Sequence, residues 1–142
     1  MPEKPILAVI DTNVIVSALL NHDKESNPSK VINDVLLGII TPIFNDEILS
    51  EYKDVLSRDK FPFRDSDIED TLNLFLKKGI RVDSTFPVEE SIPDLDDVVF
   101  YEVAMSIEGT YLITGNIKHF PNNPIVVTPA QMVDILNRDM PQ

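Results

Sequence analysis

The stretch ILAVIDTNVIVSALL, residues 6–20, decides how this chain folds. Ile6 to Ile10 is an apolar run rich in β-branched side chains, the pattern of a strand buried on both faces. It stops abruptly at Asp11-Thr12-Asn13, after which Val14, Ile15, Ala18 and Leu19 recur at helical spacing. The segment predicts strand, turn and helix, with Asp11 at the carboxyl end of the strand. Two readings of Asp11 are open at this point. It caps the following helix, as Asp often does, or its carboxylate projects into the crevice where open parallel sheets bind ligands.

Outward from this stretch, the same alternation continues. The polar segment His22 to Pro28 reads as a loop, Pro28-Ser29 opens a helix carrying Val31, Ile32, Val35 and Leu36, and Gly38 suits its C-cap. Ile39 to Phe44 reads as a second strand, and Asn45 as the N-cap of a helix with Ile48, Leu49, Tyr52, Val55 and Leu56 on one face. A helix from about Ser66 to Lys77 leads through Gly79 to a short strand at Ile80 to Val82. A polar loop with Pro87 and Pro93 crosses to a helix from about Asp96 to Ile107. Strands follow at Tyr111 to Thr114 and Ile125 to Thr128, and Pro129 begins a closing helix. Strands alternating with helices predict an α/β fold with a central parallel sheet covered on both faces. At 142 residues the whole chain, 1–142, reads as a single domain with its core at about 6–136.

Composition narrows the chemistry. With no cysteine, a disulfide framework, thiolate-ligated zinc and a cysteine nucleophile are all excluded, so any metal is held by oxygen or histidine. Met1 to Ile6 carries Pro2 and Pro5 among charges and lacks the apolar stretch of a signal peptide, and no apolar run approaches the roughly 20 residues of a membrane span. The expectation is a cytoplasmic protein without membrane association. Twelve basic against 24 acidic side chains give a net charge of −12, which repels nucleic acid at long range. The imbalance is local: Lys53, Arg58, Lys60 and Arg64 cluster mid-chain, whereas Val82 to Ile117 holds eight acids and no Lys or Arg.

Among the acids, Glu51 lies one turn after Glu47 on the helix following the second strand, and Asp94, Asp96 and Asp97 crowd the start of a later helix. Solvated helix positions and first-turn acids that complement the helix dipole account for many such residues. Acids this close repel, however, and some would carry raised pKa values unless a hard divalent cation with oxygen ligands relieved them. Their crowding argues that they are not needed as one another's caps. The turn Thr114-Gly115-Asn116 adds further oxygen donors at another strand end.

IDTN at 10–13, NDEILSEYKDVL at 45–56, DLDDVVFYEVA at 94–104 and YLITGNIKHFP at 111–121 occur in an order and spacing that resemble the PIN-domain family. Within that family the chain looks like the prokaryotic group assigned as toxins of toxin–antitoxin modules. This resemblance implies a three-layer α/β/α PIN-like fold with about five parallel strands and a ribonuclease dependent on Mg2+ or Mn2+. Asp11, Glu51 and Asp97 match the family's catalytic, metal-binding acids. Asp94 resembles an accessory acid of the subgroup, and Thr12, Asn13 and Thr114 match residues that brace the site. Asn116 departs from the pattern, standing where the family most often has Asp; its amide oxygen can still ligate. The resemblance also implies an RNA substrate, a cognate antitoxin protein and a homodimer.

For RNA contact the candidates are Lys60 and Arg64 of the basic cluster, and His119. Cations also collect at helix C-termini without any ligand. A second functional reading is a catalytically weak or inactive PIN-like domain that binds RNA or protein, with Asn116 as its mark. Two other doubly wound folds fit less well. An aspartate-nucleophile phosphatase wants an acid where Asn13 stands, and a phospho-acceptor receiver wants a lysine where Thr128-Pro129 stands.

Overall fold

The computed structural model describes residues 4–139. Strand β1 (Ile6–Ile10) is followed by helices α1 (Thr12–Leu20) and α2 (Asn27–Leu36), then by β2 (Ile40–Phe44), α3 (Asp46–Leu56) and α4 (Asp65–Lys78). The chain continues through β3 (Ile80–Arg81), α5 (Leu95–Ser106), β4 (Tyr111–Ile113), β5 (Val126–Val127) and α6 (Pro129–Asp139). The five strands form one sheet in the order β3-β2-β1-β4-β5, every pair parallel. With six helices among the described residues packed around it, this is a three-layer α/β/α fold.

The sequence explains the placement. β1 holds the centre of the sheet, flanked by β2 and β4, and Ala8, Val9 and Ile10 are fully buried, which is why its residues are apolar without alternation. α2 begins where the Ser26 side chain accepts the Ser29 N–H, and α3 where Asn45 accepts the Ile48 N–H. α5 lies against β1, β2 and β4, while α2 packs on β2 beside α1 and α6. Glycine is needed before β3. A Cβ on Gly79 would stand 2.5 Å from the Pro42 carbonyl oxygen and 2.6 Å from the Phe44 ring.

Two features place the functional end of the molecule. After β1 the chain builds outward to β2 and β3, then crosses back to lay β4 and β5 on the other side of β1. The strand order therefore reverses between β1 and β4, and the crevice of such a sheet opens at their carboxyl ends. Second, Tyr52 of α3 is fully buried between Phe75 and Phe100, with ring centroids 5.2 and 6.2 Å away, and its hydroxyl donates to the Ile10 carbonyl at the end of β1. That bond holds the middle of α3, and with it Glu51, over the same end of the sheet. No helix among the described residues is long and apolar enough to cross a membrane.

Candidate active site

Asp11 is 7% exposed at the end of β1, and its surroundings resolve the two readings left open for it. Although it occupies the N-cap position of α1, its side chain makes no capping hydrogen bond. Its Oδ2 instead accepts the Thr114 hydroxyl at 2.8 Å and the Asn13 amide at 3.2 Å. Asn13 ties the two strand ends together again, because its Oδ1 accepts the Gly115 N–H at 3.0 Å. Thr114 and Asn13 thus orient the Asp11 carboxylate. Both side-chain donors go to one carboxylate oxygen, which leaves Oδ1 without a side-chain donor.

The other acids approach from two helices. Burial raises the Asp11 pKa against the lowering effect of Thr114, the Thr12 N–H, His119 and Asn13. Asp97, in the first turn of α5, is pushed up from 3.8 to about 6, first by burial and then by the charges of Asp11 and Asp94; His119 opposes the rise. Its carboxylate lies 3.7 Å from His119 Nδ1, with the Asp97 side chain 16% exposed. Burial also raises Glu51, reinforced by Asp96, Asp54 and Asp11 and opposed by Arg58. Glu51 on α3 and Asp97 on α5 therefore both sit in the field of Asp11 at the end of β1, and all three have their charged form disfavoured.

The structure separates other sequence candidates from this group. Asp94 is exposed and caps α5, its Oδ1 accepting the Asp96 N–H at 2.9 Å, so the expectation that these crowded acids are not caps is wrong for Asp94. Its charge nevertheless reaches Asp97. Asn116 is exposed; its backbone N–H donates to the Thr114 hydroxyl, and its side chain makes no capping bond to the 3-10 turn at Ile117–His119. That turn, absent from the sequence reading, is what carries His119 to Asp97. Arg64 is engaged by Asp67, and Lys60 stands 5.1 Å over the Phe61 ring. In their place Arg58 is the cation that reaches Glu51, and Asp96, the neighbour not carried forward from the sequence, is the acid that most raises it.

As they stand, no three His, Asp or Glu side chains among the described residues close on one point. The donor set still fits a hard divalent cation. Magnesium keeps most of its waters and takes only one or two carboxylates from the protein. Asp11 and Asp97 are such a pair, each raised in part by the field of neighbouring acids or by burial that a cation relieves. The Thr12 hydroxyl beside Asp11 is buried with no hydrogen-bond partner, leaving a polar atom for an ordered ligand or water.

A doubly wound α/β domain presents Asp11, Glu51 and Asp97 at the carboxyl end of its sheet, where such folds bind their ligands. Comparison with known families agrees: a PIN domain model matches residues 7–118, and the chain belongs to the PIN-domain family, whose members are generally nucleases. Searches of curated proteins and of solved structures returned no match.

Proposed function

We propose that this protein is a metal-dependent ribonuclease that hydrolyses RNA phosphodiester bonds as the toxin of a toxin–antitoxin module. The observation that carries the reading is the grouping of Asp11, Glu51 and Asp97 at the carboxyl end of the sheet, where the charge of Asp11 raises both other acids. Asp11 and Asp97 would hold the Mg2+ or Mn2+, with Thr114 and Asn13 fixing the Asp11 carboxylate. A divalent cation bound there supplies water activation at neutral pH and neutralises charge on the leaving oxygen. Glu51, whose pKa burial and the neighbouring acids raise, would accept a proton from the attacking water, and no side-chain nucleophile is required. His119 stabilises the ionised form of Asp97. Asp94 acts through the field at Asp97 and as the cap that fixes the first turn of α5. The antitoxin partner, homodimerisation and cytoplasmic location belong to this proposal and rest on the motif resemblance.

The test is cleavage of a mixed RNA pool with Mn2+ or Mg2+, with EDTA, and by Asp11→Asn. Cleavage that needs the metal and is lost in the variant is the expected outcome. Cleavage that survives Asp11→Asn would sink the mechanism, and none under any condition favours the non-catalytic binding reading.

A further inference from the structure

Next to the acids lies a cavity of about 430 Å³ that the catalytic reading does not use. It opens between the starts of α1, α2 and α6 and the turn after β4, and its size falls within the roughly 300–1,000 Å³ of small-ligand pockets. One residue in four of this chain is charged, yet none of those lining the cavity is. Val14, Pro28 and Pro129 form an apolar wall, and Ser17, Asn27 and Asn116 bring a hydroxyl and two amides. Such a lining has no cation for a phosphate. It suits a flat neutral ring that presents apolar faces and a hydrogen-bonding edge, which is how single-stranded RNA offers an unstacked base.

The cavity is also coupled to the acids. Asn13 lines it while donating to Asp11 Oδ2 and accepting the Gly115 N–H, so a single side chain separates the two spaces. We propose that this cavity is a nucleobase subsite, which takes one unstacked base of an RNA strand whose phosphodiester lies at Asp11 and so selects the nucleotide flanking the cut. The proposal rests on the ribonuclease reading for its substrate. It also explains how a chain of net charge −12 meets a polyanion: the neutral part of the nucleotide meets the neutral part of the surface.

The experiment uses adenosine, guanosine, cytidine and uridine, which carry no phosphate, titrated into the isotope-labelled full chain while backbone amide shifts are followed. At least one nucleoside is expected to shift Val14, Ser17, Gly115 and Asn116 saturably, with a Kd on the order of millimolar, typical of a single small ligand. Ala130→Phe fills the cavity from an exposed helical position and is expected to weaken that binding at least tenfold. Should its spectrum show an unfolded chain, Ser17→Leu serves the same purpose. No saturable shift at these amides, shifts that the filling variant leaves unchanged, or equal shifts with inorganic phosphate would each overturn the subsite. Nucleoside binding without metal-dependent RNA cleavage keeps the subsite and removes the nuclease reading; cleavage without nucleoside binding does the reverse.

Discussion

Replacing Asp97 by Asn should make the metal-free protein more stable. Moving a carboxyl from 3.8 to about 6 makes its ionised form costlier in the folded chain by about 3 kcal/mol at neutral pH. The neutral amide removes that cost and forfeits the contact with His119, which is more than half exposed and so contributes little. A net gain of about 2 kcal/mol corresponds to a Tm higher by about 5–8 °C for a chain of this size. The sign follows from which state ionises first. Below about pH 4 the carboxyl is protonated in folded and unfolded chains alike, and the variant gains almost nothing. From about pH 4 to 6 the unfolded chain loses its proton before the folded chain does, so wild-type stability falls as pH rises. Above pH 6 the cost is complete. Thermal unfolding followed by circular dichroism in EDTA, at pH 4 and pH 7.5, measures this directly. Added Mg2+ should then raise the wild-type Tm and leave the variant unmoved. A variant no more stable than wild type at pH 7.5, or equally stabilised at both pH values, refutes the reasoning.

Tyr52→Phe strands the buried Ile10 carbonyl and should cost about 1–3 kcal/mol, read as a lower midpoint in urea. Gly79→Ala drives a methyl into the Pro42 and Phe75 carbonyl oxygens and is expected to destabilise by about 1–3 kcal/mol or prevent folding, whereas Gly115→Ala, whose nearest neighbour is the Asn13 amide oxygen at 3.4 Å, should fold normally. Asn116→Asp adds an anion beside the Thr114 turn and should raise Mg2+ affinity in calorimetric titration; unchanged affinity would place residue 116 outside the metal site.

What the sequence announced were the features written locally. The apolar run of β1, the Asn45 cap and the Pro129 helix start each carry their own signal, and each stands where it was expected. Asp11 and Thr114 were legible because strand ends are. The approach of Asp96 to Glu51 had no such signal, since it depends on α3 meeting α5 through Tyr52 and Phe100, residues far apart in the chain. The three-residue turn carrying His119 is too short for any periodicity to reveal. The capping role of Asp94 is equally hidden from charge crowding, because it depends on the backbone, where one of its oxygens meets a first-turn N–H.

The grouping of acids is a cost that the rest of the fold sustains. Asp11, Glu51 and Asp97 each have their charged form disfavoured, while Tyr52 clamped between Phe75 and Phe100 and bonded to Ile10 keeps α3 against β1 despite that repulsion. Neutral residues at the same three places would fold into the same sheet with greater stability, so packing does not account for the acids. Two of the surrounding bonds, from Thr114 and Asn13 to a single Asp11 oxygen, orient and favour a carboxylate whose charge burial disfavours. A buried aromatic clamp thus holds in place charges that would otherwise be relieved by moving apart.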